Sequence, residues 1–123
     1  MVEIICDTSF LIVFANRPVK GMGELEARFG KINFLIPSVV IKELIKLASS
    51  AGVKRAKEAK LALDLTRKFK ITELDSTIAD DVILDYASKH SCIAATIDDE
   101  LKKTLRRNGV NVLTLSHNKL ILV

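Results

Sequence analysis

The sequence predicts an α/β fold built on a largely parallel sheet, and three observations carry that prediction. Short runs rich in β-branched residues alternate with longer stretches of helical period along the whole chain. The runs are continuously apolar rather than alternating, as in central strands covered on both faces. No repeat, low-complexity tract or linker divides the 123 residues, so they are expected to form a single domain, 1–123.

The first strand is expected at Val2 to Cys6 (VEIIC). A helical pattern begins at Phe10 to Ala15 and is interrupted by Asn16-Arg17-Pro18; a second spans Gly23 to Phe29 and ends at Gly30. Ile32 to Ile36 (INFLI) is the second strand, closed by Pro37. Ser38 is a good N-cap for a helix through about Ala48, and Val53 to Phe69 reads as a long basic helix. Ile71 to Leu74 is the weakest strand. Ser76 or Thr77 caps a helix running to about Lys89. Cys92 to Ile97 (CIAATI) is the fourth strand, and a helix starting at Asp98 or Asp99 stops at Asn108-Gly109. Val110 to Leu115 is the fifth strand, and KLILV closes the chain as an edge strand.

Composition removes several classes. The net charge is +4, with 49% hydrophobic and 28% charged residues, too apolar and too mixed in sign for a disordered chain. A chain of this length buries roughly two-thirds of its unfolded surface and needs no metal or disulfide staple. No apolar run approaches the ~20 residues of a membrane span. MVEIICDTSF has neither a basic n-region nor a small-residue cleavage site, so a cytoplasmic protein is expected. Cys6 and Cys92 read as buried free thiols, and with two isolated histidines they lack zinc-ligand spacing.

The informative feature is where the acids fall. Asp7 directly follows the first strand and Asp98 the fourth. In an open parallel sheet, ligand chemistry sits outside the carboxyl ends of the strands, where strand order reverses. Glu43 lies in the helix after the second strand, about 40° outside its apolar stripe of Val40, Leu44, Leu47 and Ala48 and beside Leu47, with Lys42 and Lys46 pointing further away. Asp80 and Asp81 occupy the first turn of the next sheet-facing helix. Taken singly, each has a structural explanation: Asp7 as an N-cap, Glu43 as a solvated acid, the others as first-turn acids favoured by the helix dipole. Taken jointly, they put acids from four elements at one end of one sheet. Clustered carboxylates repel unless a cation neutralises them, and oxygen ligands without His or Cys favour Mg²⁺ or Mn²⁺ over zinc.

The segments IICDTSFLI, IPSVVIKEL, ADDVILDYA and AATIDDELKKTLRRNGVNV, in this order and spacing, resemble a PIN domain over essentially the full chain. The last segment is similar to the rRNA-processing branch, and prokaryotic members of this size include VapC-type toxins. The resemblance implies a three-layer α/β/α fold with a parallel five-stranded sheet in the order 3-2-1-4-5, which makes the first and fourth strands neighbours. It implies Asp7, Glu43, Asp81 and Asp98 as catalytic metal ligands, Thr8, Ser9 and Thr96 as flanking polar residues, and Glu100 as an outer acid. Asp81 is preferred to Asp80 because the family acid precedes a small residue and two large aliphatics; Val82 in the small position is a departure. The activity implied is Mg²⁺- or Mn²⁺-dependent endoribonuclease cleavage leaving a 5′-phosphate and a 3′-hydroxyl. Substrate stays open between precursor rRNA and, for a toxin, mRNA or tRNA. Partners would be an antitoxin, a ribosome-assembly protein or a second copy, the last through an apolar patch from Leu11 to Phe14 or along the middle helix.

Setting four acids in a pocket leaves 11 against 19 bases, so the remaining surface carries about +8 and suits a polyanion. Lys54, Arg55, Lys57, Lys60, Arg67, Lys68 and Lys70 form a basic middle helix that reads equally as a solvated face or an RNA contact. Lys102, Lys103, Arg106 and Arg107 follow Asp98 directly and are the better-placed RNA-binding cluster. Aromatic residues are only 5%, so recognition would rest on backbone charge rather than base stacking. Two rivals stand beside the nuclease. One is a non-catalytic binding module with the same acids. The other is a receiver-like phospho-acceptor with Asp75 after the third strand, disfavoured because no Lys directly follows the fifth.

Overall fold

The computed structural model describes residues 2–50, 52–74 and 77–123. The chain order is β1 (Val2–Cys6), α1 (Thr8–Asn16), α2 (Met22–Phe29), β2 (Ile32–Pro37), α3 (Ser38–Ser50), α4 (Val53–Thr66), β3 (Lys70–Thr72), α5 (Ala79–His90), β4 (Ile93–Ala95), α6 (Asp99–Arg107), β5 (Val112–Ser116) and β6 (Lys119–Leu122). The sheet order is β3-β2-β1-β4-β5-β6. The first five strands are parallel, in the expected 3-2-1-4-5 order, and β6 extends that sheet as an antiparallel edge on β5.

Strand alternation builds the two outer layers. Successive residues of β1 point to opposite faces. Ile4 and Cys6 join Phe10, Val40, Leu44, Ala59 and Ala62 in one core beneath α1, α3 and α4. Ile5 joins Leu35, Ile83, Ala87, Ala94, Leu101, Leu105 and Val112 in another beneath α5 and α6. Both cysteines are free and buried within these cores. No helix among the described residues is long and apolar enough to cross a membrane.

Some local expectations shift. α1 begins at Thr8, straight after the extended Asp7, and Ser38 is itself the first residue of α3. β3 ends at Thr72 and so is shorter than its apolar pattern. The expected cap Ser76 and the acid Asp75 lie outside the described residues; Thr77 is described, but the residue that caps α5 is Ile78. Gly109 follows α6 at φ +75°, the left-handed turn that glycine adopts without a Cβ clash. The Leu11–Phe14 segment is no surface patch. Leu11 is fully buried, and Phe14 lies between Phe10 and Phe34 in a line of rings that Phe69 continues. Exposed aliphatics stand instead at Ile45 on α3 and at Val53 and Leu61 on α4.

The order reverses between β1 and β4. β1 runs on to β2 and β3 on one side, whereas β4 and β5 lie on the other. Cys6 pairs with Ala95, so the residues leaving the two strands emerge side by side. That is where a parallel sheet opens a crevice.

Candidate active site

The crevice is a basin of about 490 Å³ lined by Asp7, Thr8, Ser9, Ile12, Glu43, Lys46, Leu47, Arg55, Asp80 and Asp98. Its acids come from four separate elements, and local folding delivers each one. Asp7 is the residue at which β1 turns into α1, and its N–H donates to Ala95 O at 2.9 Å, tying the strand end to β4. It caps α1 by position but makes no side-chain capping hydrogen bond. Its carboxylate, 6% exposed, instead accepts at Oδ2 from Ser9 Oγ at 2.6 Å and from Thr96 Oγ1 at 2.8 Å. The capping explanation for Asp7 therefore fails: a buried carboxylate is held by two hydroxyls and aimed at the basin.

Thr96 organises this corner. It is fully buried, donates to Asp7, and accepts the Asp98 N–H at 3.1 Å. Ser9 Oγ in turn accepts the Ile97 N–H at 3.2 Å. Asp98 does cap α6, its Oδ1 accepting the Leu101 N–H at 3.1 Å. Glu43 Oε2 accepts from Thr8 Oγ1 at 3.0 Å. One pattern runs through all three acids: the protein fixes one carboxylate oxygen, and among the described residues the other (Asp7 Oδ1, Glu43 Oε1, Asp98 Oδ2) accepts no hydrogen bond. Anchoring of this kind orients a ligand while leaving it a free lone pair.

The fourth acid is Asp80. The structure brings Asp80, not Asp81, into the basin with Asp7, Glu43 and Asp98. Partial burial raises the Asp80 carboxyl above its ordinary range, and the negative charges of Asp7, Asp98, Glu43 and Asp81 raise it further. Helix geometry gives the reason. Asp80, Ile83 and Ala87 are spaced i, i+3, i+7; Ile83 and Ala87 are buried on the face that α5 turns to the sheet, and Asp80, itself exposed, stands at the edge of that face beside the basin. Asp81 lies on the solvent side with Asp85, which pairs with Lys89 at 3.1 Å. The family pattern, with aliphatic residues after the acid, points to Asp81, whereas the i, i+3, i+7 spacing and the basin lining point to Asp80.

The other expected residues divide. Thr8, Ser9 and Thr96 touch the acids directly. Glu100 is exposed and is not among the residues lining the basin. Lys102, Lys103 and Arg106 line a separate hollow of about 240 Å³ with Asp99, and Lys102 pairs with Asp99 at 3.3 Å. Arg107 is exposed and lines neither cavity. Conversely, Lys46 was expected to point away and Arg55 belonged to an undecided basic face, yet both line the basin. Lys46 follows Glu43 by three residues, and its long side chain closes the angle that separates them.

Among the described residues no three Asp, Glu, His or Cys side chains stand close enough to enclose an ion. The chemistry of the donors still fits a hard divalent cation. Every polar donor on the acidic wall is oxygen, three carboxylates each offer a free oxygen, and Mg²⁺ commonly keeps several waters and uses only one or two carboxylates.

A parallel sheet with β1 and β4 adjacent, acids at both strand ends and two more on flanking helices defines a PIN-like domain. The model of the PIN like domain family matches residues 4–118, and the chain belongs to that family. Among its relatives, Ribonuclease VapC9 of Archaeoglobus fulgidus is 33% identical over 119 residues, covering 97% of this chain and 87% of that protein. Ribonuclease VapC4 of Methanocaldococcus jannaschii is 31% identical over 123 residues, covering 97% and 94%. The solved PIN domain endonuclease Utp24 superposes with a TM-score of 0.76 at 24% identity, covering 98% of this chain and 90% of that one, a likeness of fold.

Proposed function

We propose that this protein is an endoribonuclease that hydrolyses RNA phosphodiester bonds with the help of a divalent cation, Mg²⁺ or Mn²⁺. The observation that carries the reading is the convergence of Asp7, Glu43, Asp80 and Asp98 on one basin, with three of them half-anchored. Two relatives named ribonucleases, at 33% and 31% identity over nearly the whole chain, support the substrate class. The same names favour a toxin of a toxin–antitoxin pair over rRNA processing, because the likeness to Utp24 is one of fold alone.

Asp7, Asp80 and Asp98 would hold the cation, with Glu43 facing them from α3. When bound, a divalent ion polarises a phosphoryl oxygen and lowers the pKa of a water for in-line attack. The chain's own residues supply the rest. Ser9 and Thr96 keep the Asp7 carboxylate in one orientation. Thr8 holds Glu43 so that its free oxygen can accept a proton or orient a water. Ile12 and Leu47 supply the apolar part of the basin's lining.

The test is cleavage of labelled RNA by purified protein in Mg²⁺, Mn²⁺ or EDTA. Cleavage is expected to require the divalent ion, to leave 5′-phosphate ends, and to be lost in Asp7→Asn and Asp80→Asn but kept in Asp81→Asn. Turnover that survives EDTA, or that is lost in Asp81→Asn and kept in Asp80→Asn, overturns the mechanism. Absence of any cleavage, with RNA binding retained, favours the non-catalytic module.

A further inference from the structure

We propose that Lys46 and Arg55 are the phosphate-binding residues of this site, so that the RNA backbone enters over the α3–α4 wall and not over α6. The inference rests on the ribonuclease reading and deepens it by fixing the side of approach.

An RNA strand must bring a negatively charged phosphodiester to a basin that already holds four acids. Cations on the approach wall are needed to offset that repulsion. Two line the basin itself: Lys46 from α3 and Arg55 from α4. Their helices pack on each other through the core that holds Leu44, Ala59 and Ala62, which fixes the spacing of the two side-chain roots. Neither is engaged in an ion pair among the described residues, although four acids share their cavity. Both therefore keep their charge available, and the arginine fork suits two oxygens of one phosphate. The cationic wall also continues. A neighbouring cavity of about 230 Å³ shares Glu43 and Lys46 with the basin and adds Lys42, Ser38 and Thr77. A strand leaving the reacting bond past Lys46 would next meet Lys42. The α6 cluster lacks these features, because its hollow is separate from the acids and Lys102 is already paired with Asp99.

The experiment measures binding of a fluorescein-labelled mixed-sequence single-stranded RNA by anisotropy, in Mg²⁺ and across a salt series. All proteins carry Asp98→Asn, which silences cleavage and keeps an N-cap on α6. Lys46→Gln and Arg55→Gln are each expected to weaken binding about fivefold or more at low salt, and to reduce the slope of log K against log salt by about 0.7. Lys31→Gln, an exposed lysine at the opposite end of the sheet, is expected to change affinity less than twofold. Both basin cations are exposed, so thermal melts should match the parent. Unchanged affinity and slope in Lys46→Gln and Arg55→Gln overturn the proposal, and so does a loss confined to Lys103→Gln and Arg107→Gln. If wild type cleaves RNA while the basin variants bind as the parent does, only this proposal falls. If wild type neither binds nor cleaves RNA, the ribonuclease reading falls and takes this one with it.

Discussion

Replacing Thr96 by Val removes one oxygen and tests whether the hydroxyl network holds the site in shape. Valine matches threonine in outline, and Thr96 is fully buried, so packing changes little. Three contacts of the hydroxyl are lost: donation to Asp7 Oδ2 at 2.8 Å, acceptance from the Asp98 N–H at 3.1 Å and a longer one with Ser9 Oγ at 3.3 Å. The first is to a charged acceptor and is worth roughly 1.5–3 kcal/mol. The other two are neutral or long and add less, and the Asp98 N–H bond is only part-buried. Ser9 remains on the same carboxylate oxygen and limits the damage. The expected cost is therefore about 2 kcal/mol. In a domain of this length that corresponds to a fall in Tm of roughly 6–10 °C. Urea denaturation should show a lower midpoint with an unchanged m-value. Thr96→Ser, which keeps the hydroxyl and drops a methyl, should lose only about 1 kcal/mol. The cation response separates the two variants further. A ligand at a hundred times its Kd stabilises the native state by about 2.7 kcal/mol. That gain should persist in Thr96→Ser and shrink in Thr96→Val, where Asp7 is no longer oriented. Equal midpoints and equal Mg²⁺ gains in the two variants would refute the idea that the hydroxyl orients Asp7.

Asp80→Asn removes the acid that its neighbours push toward protonation, so it should raise stability in EDTA and abolish the Mg²⁺-dependent rise in Tm; Asp81→Asn should do neither, as differential scanning fluorimetry would show. Burial raises the Cys92 thiol to about 11, with Glu3 adding to the shift. Below pH 9 both states keep the proton; between pH 9 and about 11 the unfolded chain loses it first, so stability should fall with rising pH, less steeply in Cys92→Ala. Chemical denaturation across that window reads the difference. Leu105→Ala opens a cavity where α6 meets the sheet and should cost about 2–5 kcal/mol by the same measurement, with a smaller loss showing that α6 settles onto β5.

The elements were legible because their signals are local. VEIIC and INFLI are largely apolar and became β1, in the middle of the sheet, and β2 beside it, and Gly30 and Gly109 stop helices where the chain adopts positive φ. The short strand β3 was harder, since its residues are largely exposed and pair with only one neighbour. The acids at strand ends were legible for the same reason: Asp7 and Asp98 inherit their place from the strands before them, and parallel pairing of β1 with β4 does the rest.

What the sequence left ambiguous is which member of a neighbouring pair a helix turns inward, and which bases share a cavity with acids far away in the chain. Successive helical residues differ by 100°, so choosing Asp81 over Asp80 exchanges a basin residue for a solvent one. The deciding pattern was Asp80 with Ile83 and Ala87, a constraint from the sheet beneath α5 rather than from the residues following the acid. The place of Lys46 in the basin was not legible from its own helix, and Arg55 was legible only as one of a basic face that reads equally as solvated or as an RNA contact. They stand on two helices whose relation is set by the packing of Leu44 against Ala59 and Ala62, and periodicity within one helix carries no information about a neighbour. The lysines of α6, adjacent in sequence to Asp98, pointed to a different wall for the same reason: closeness along a helix N-terminus is not closeness to the carboxylate that caps it. α6 runs outward from its cap, whereas α3 and α4 bring Lys46 and Arg55 to the acids from the opposite layer.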